Sequence, residues 1–81
     1  MNLKEIDGKT INIRWVYDTT LDVCVSLDKD GEAICERQEF YIDETDEVDV
    51  FGIDEQNNRI NIQFGDGSVA TGVLTSLFVI E

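Results

Sequence analysis

Apolar side chains recur at every second position through most of this chain, and that period limits what it can fold into. Ile11, Ile13, Trp15 and Tyr17 alternate with Asn12, Arg14 and Val16. Leu21, Val23, Val25 and Leu27 alternate with Asp22, Cys24 and Ser26, and Ile60, Ile62 and Phe64 alternate with Arg59, Asn61 and Gln63. A period of two gathers one set of side chains on one face of a strand. The β-branched and aromatic content suits a half-buried pleated surface. Ile34, Phe40 and Ile42 mark a further strand, and Val48 to Ile53 a shorter one. Only Asn2–Ile6 and a short turn near Leu74–Ser76 fit a helical turn. The expected class is all-β.

Turn chemistry separates these runs. Asp28-Lys29-Asp30-Gly31 reads as a type I turn with Gly31 in the left-handed position. Asp54 to Asn58 fills the same role before Arg59, because asparagine tolerates positive φ. Gly65-Asp66-Gly67-Ser68 closes a third hairpin, and Tyr17-Asp18-Thr19-Thr20 reads as a further turn. Thr10–Trp15 and Arg59–Phe64 resemble each other at an offset of 49 residues. Any two amphipathic strands share such an I-x-I-x-aromatic pattern, so a duplicated hairpin does not follow.

Eighty-one residues make one domain spanning 1–81, and short strands at this spacing predict a small antiparallel barrel or half-open roll of five to six strands. The C-terminal third runs strand (Arg59–Phe64), glycine turn, strand (Ser68–Gly72), one-turn connector and strand (Leu77–Ile80). That order resembles the end of SH3-like and Tudor-like barrels. The resemblance implies an SH3-like fold and transfers no function. A Tudor-like reader would also need an aromatic cage, for which Trp15, Tyr17, Phe40 and Tyr41 are the candidates. Strand spacing places Trp15 in the core instead.

Charge supplies the sign of a partner. The chain carries 18 acidic and 6 basic residues, a net −12. Of this, −8 falls between Glu36 and Glu55, where Glu36, Glu39, Asp43, Glu44, Asp46, Glu47, Asp49, Asp54 and Glu55 face the single base Arg37. Such a field repels nucleic acid and anionic membrane and attracts basic protein surfaces. Apolar content of 42% separates the chain from a disordered acidic tail. Self-repulsion is expected to weaken the fold at low ionic strength, so the melting temperature should rise with salt.

Catalytic chemistry finds no support. Histidine is absent, which removes the commonest acid–base group at neutral pH and any Ser-His-Asp arrangement. Nothing surrounds one acid with apolar residues, as a general acid would need. Asp28-Lys29-Asp30-Gly31-Glu32 places its glycine at the fourth position, whereas an EF-hand loop needs it at the sixth. Gly65-Asp66-Gly67 leads into a strand, so it is no phosphate loop. The expectation is a non-enzyme without metal or cofactor.

Cys24 and Cys35 flank the Asp28–Gly31 turn. A two-residue loop would set Cys24 opposite Cys35 and Val25 beside Ile34. Met1 to Asp7 lacks the apolar run of a signal peptide, so the expected location is the cytoplasm and two free thiols are the expected state. Glu36, Arg37, Glu39 and Asp49 are expected on sheet edges, where charge discourages pairing with another chain.

The sequence thus predicts a small cytosolic interaction module whose acidic face, the nine carboxylates above, binds and inhibits or neutralises a basic partner. That partner would be a basic protein surface such as a toxin or a nucleic-acid-binding protein, in which case the carboxylates would mimic phosphates. No direct contact with nucleic acid or membrane is expected. The alternative is a structural, homo-oligomeric β subunit that assembles through a strand edge or through Val16, Tyr41 and Phe78, with the acids serving solubility only.

Overall fold

Residues 2–81 are described by a computed structural model. It comprises β1 (Thr10–Trp15), β2 (Thr19–Leu27), β3 (Ala33–Phe40), β4 (Thr45–Asp54), β5 (Arg59–Phe64), β6 (Val69–Leu74) and β7 (Phe78–Ile80), with one-turn 3-10 segments at Leu3–Ile6 and Thr75–Leu77. All seven strands form one antiparallel sheet in the order β3-β2-β6-β5-β4-β1-β7. The class is all-β as expected. The expected strand count of five to six and the closed barrel are not found: the described residues form seven strands, and no ladder joins β3 to β7.

The sheet nonetheless curls over a core on one face. Phe40, from the edge strand β3, stacks on Trp15 of β1 at 4.6 Å between ring centroids and on Phe64 of β5 at 5.3 Å. Phe78 of β7 meets the edge of the same indole at 5.8 Å. Strands far apart in sheet order therefore converge on Trp15, which is 0% exposed. Ile13, Val23, Val48, Val50, Ile60, Ile62, Ala70 and Val73 complete the interior around it. Trp15 is a core residue, as its strand spacing predicts, and its contact with Phe40 takes both rings out of any aromatic cage. Tyr17 and Tyr41 stay exposed.

The turns follow their local chemistry. Gly31 has φ +81° and its N–H donates to Asp28 O at 3.0 Å, closing the expected turn. Asn58 takes φ +53° in the β4–β5 turn, where Asn57 Nδ2 also donates to Asp54 Oδ2 at 2.8 Å. In the β5–β6 turn the N–H and hydroxyl of Ser68 both donate to Asp66 Oδ1, which accounts for a serine that is buried.

Three expectations fail for physical reasons. The strand foreseen at Val48–Ile53 is ten residues long, joint support from β1 and β5 carrying acids of poor β-propensity into the ladder. Asp49 therefore lies on an interior strand of the sheet and not on an edge, whereas Glu36, Arg37 and Glu39 do lie on the edge strand β3. The β2–β3 loop closes between Leu27 and Ala33 rather than over two residues. Val25 absorbs the one-residue slip as a bulge, and Ser26, not Val25, pairs with Ile34.

That register keeps Cys24 directly opposite Cys35, with Cα atoms 3.9 Å apart, and the two are joined by a disulfide. The free thiols expected from the sequence are thus corrected to a bonded pair. The bond sits where β2 makes its one register pair with β6, Cys24 with Val69. Beyond it the hairpin leaves the body as an arm, and every residue from Val25 to Ile34 is exposed.

Candidate functional site

The nine sequence-predicted carboxylates fall into distinct groups. Glu36 and Glu39 lie on the exposed edge strand β3. Asp43 and Glu44 lie in the β3–β4 loop. Asp46, Glu47 and Asp49 lie on β4, and Asp54 and Glu55 at its far end. A ten-residue strand rises roughly 30 Å, so the Asp43–Glu44 and Asp54–Glu55 pairs sit at opposite ends of the molecule. Eight of the nine are exposed, and Asp46 is half-buried.

Strand alternation decides which of the β4 acids face solvent. Val48 and Val50 point into the core, so Glu47 and Asp49 point out beside Asn12 and Thr10 of β1. The Thr10 hydroxyl donates to Asp49 Oδ1. Asp46 shares the inward parity, at the rim. Its Oδ2 accepts the indole N–H of Trp15 at 2.8 Å, the partner that a buried tryptophan needs. Asp46 is therefore committed to the core. Its i−i+2 spacing from Val48 and Val50 was the signal that could have revealed this.

Where β1 turns into β2 and β3 crosses to β4, several hydrogen bonds tie the two connections together. Trp15 N–H donates to Glu44 O at 2.9 Å and Asp43 N–H to Trp15 O at 2.8 Å. Ile42 N–H donates to Asp18 Oδ1 at 2.9 Å, Tyr41 N–H to Glu44 Oε1 at 3.2 Å, and Glu44 N–H to Tyr41 O at 3.0 Å. Asp43 adopts φ +71°, left-handed backbone that aspartate tolerates better than most residues. The Tyr41 hydroxyl donates to Glu39. Its pKa is raised above the ordinary tyrosine value by that hydrogen bond first, then by the nearby negative charge of Glu39, Glu44 and Asp18.

Neutralisation is sparse. Among the described residues, Asp43 is the one member of the nine within ion-pair distance of a cation, Arg14 at 3.4 Å. Arg14 also holds Glu81, its Nε 2.8 Å from Oε1. The pair of Arg37 with Asp22, at 3.5 Å, runs between β2 and β3 on the body side of the disulfide and neutralises none of the nine. No group of three or more potential metal ligands converges among the described residues.

Of the apolar residues foreseen as an assembly surface, Phe78 is buried, Val16 is half-buried and Tyr41 is exposed. Among the described residues no helix is long and apolar enough to cross a membrane. No protein-family model, no curated protein and no solved structure matches the chain.

Proposed function

We propose that this protein is a small acidic interaction module that binds a basic partner protein and inhibits or neutralises it. The observation that carries this reading is the uncompensated charge. Among the described residues, the eight exposed carboxylates of the 36–55 window meet one cation contact, Arg14 with Asp43. Charge of this kind raises association rates and makes them fall with salt.

The form of the negative surface bears on the kind of partner. The six exposed carboxylates from Asp43 to Glu55 are strung along roughly 30 Å of β4, about one per 5 Å. A DNA duplex carries about one charge per 1.7 Å of axis. The spacing therefore favours an inhibitor or immunity-type contact with basic side chains over mimicry of a whole duplex.

A structural subunit is the second reading, and the free edge of the eight-residue strand β3 favours it. An SH3-like relation is supported by the C-terminal order of β5, glycine turn, β6, one-turn 3-10 segment and β7. With the β2–β3 arm set aside, the remaining order β7-β1-β4-β5-β6 has five strands. A cytoplasmic location belongs to the same proposal. There the Cys24–Cys35 bond would meet reducing thiols, so both redox states need testing.

The test replaces Glu39, Glu44 and Glu47 with Gln and Asp43 and Asp49 with Asn. Asp46 is left intact because it holds the indole. Immobilised wild type should capture basic proteins, with capture falling as salt rises, and the neutral variant should lose them. Equal capture by the neutral variant at physiological salt overturns the reading.

A further inference from the structure

Three large apolar side chains stand in solvent at one end of the molecule: Tyr17 (60% exposed), Tyr41 (50%) and Ile42 (54%). They belong to the β1–β2 turn and the β3–β4 loop, which the Asp18–Ile42 hydrogen bond joins directly. Exposed apolar groups gathered in this way mark contact surfaces more often than chance scatter does. We propose that this end is the centre of contact with an arginine-bearing segment of a basic partner protein, a refinement that rests on the basic-partner reading above.

The rim gives the chemistry of the occupant. Asp18, Glu39, Asp43 and Glu44 surround the three apolar groups, and among the described residues only Asp43 has a cation within reach. A cleft of about 190 Å³ between the two segments is lined by Asp18, Thr19, Thr20, Glu39, Phe40 and Tyr41. It offers carboxylates beside an aromatic ring. A guanidinium satisfies both, forming forked hydrogen bonds to carboxylate while its plane lies on a tyrosine ring. A second copy of this chain fits poorly, since each carries a net −12.

Preorganisation strengthens the case. The hydrogen bonds that tie the loop to Trp15, Asp18 and Glu44 fix the backbone before any partner arrives. Tyrosine adds large contact area at small entropic cost, and it is enriched where interface energy concentrates. Glu47 and Asp49, on the outer face of β4, lack such apolar neighbours on β1, where Thr10 and Asn12 stand opposite them. They would steer approach without anchoring it.

The experiment titrates isotope-labelled protein with the short peptide Gly-Arg-Leu-Arg-Gly, followed by amide NMR at about 150 mM salt. A lysine version and an acidic version of the peptide run in parallel. The expected result is shifts confined to residues 17–20 and 39–44, with the arginine peptide several-fold tighter than the lysine one. The double variant Y41S/I42S should weaken binding about tenfold while melting close to wild type, both side chains being exposed. Shifts centred on Glu47 and Asp49, or undiminished binding by the double variant, would overturn this anchor and leave the basic-partner reading standing. No response to either cationic peptide even at low salt would sink both. Concentration-dependent broadening of residues 39–44 without peptide would assign the surface to a second copy and overturn the proposal.

Discussion

Strands β1 and β2 read alike and end differently. Both alternate apolar with polar residues, yet Ile13 and Trp15 lose all contact with solvent whereas Leu27 remains 69% exposed. The pattern in β2 continues past the point where the sheet can cover it. Val23 still faces the core; four residues on, Leu27 has β3 as its only ladder partner. Two-stranded hairpins are marginal by themselves. The arm is held instead by the Cys24–Cys35 bond at its base. Equal patterning thus gives unequal stabilisation, because burial depends on what lies above a strand and alternation does not report that.

The largest break of this contrast should come from Trp15→Ala. Removing a fully buried indole costs about 3–5 kcal/mol, a large part of the stability of a domain this size. Chemical denaturation reads it as a fall in midpoint, and a loss below 1 kcal/mol would mean that the centre of the core lies elsewhere. Reduction of the disulfide, or Cys24→Ser with Cys35→Ser, comes next. Loop-closure entropy for a separation of 11 residues gives about 2–3 kcal/mol. Amide exchange should rise first between Val25 and Ile34 while Trp15 fluorescence holds. Uniform acceleration over all strands would show instead that arm and body unfold together.

Asp46→Ala should cost about 1–3 kcal/mol, because it strands a buried indole N–H. Asp46→Asn, which retains an acceptor, should recover most of that loss. If both variants equal wild type, water has replaced the carboxylate. Leu27→Ser on the arm should stay within about 0.5 kcal/mol of wild type, as surface changes usually do. A larger loss would mean that the arm tip is covered in solution.

The smallest effect concerns acid. Asp66 is held below the ordinary aspartate pKa by the Ser68 hydroxyl first and then by the Ser68 N–H. Asp54 is lowered chiefly by the side-chain amide of Asn57. Lowered carboxyls stabilise the fold above the unfolded value, near about pH 3.9, and that contribution disappears as pH falls through the lower folded value. Carboxyl-carbon NMR should therefore give both midpoints below the ordinary range. A midpoint at or above that value for Asp66 would contradict the turn geometry.

Local chemistry was legible where a few neighbouring residues settle the matter. Arg59–Phe64 appears with its expected bounds, and Gly31 and Asn58 take the positive φ that their turns demand. The acidic window was legible as charge and illegible as shape. Asp46, Glu47 and Asp49 read as members of one acidic face, but pairing with β1 draws all three into β4, and parity then turns Asp46 toward Trp15. The Tyr41 end was equally hidden. Tyr17 and Tyr41 lie 24 positions apart, and the Asp18–Ile42, Trp15–Glu44 and Asp43–Trp15 hydrogen bonds bring their loops together.

The sequence by itself determined an all-β chain, the turns at Gly31, Asn58 and Gly67, Trp15 as a core residue and the negative sign of its surface. These follow from side-chain period, backbone preference and formal charge, none of which needs a distant contact. Tertiary structure alone decided that seven strands stay open, that Cys24 and Cys35 bond, that β2 overruns the core, and which carboxylates stand together. Each of those depends on register between remote segments, where a slip of one residue, such as the bulge at Val25, changes which groups meet.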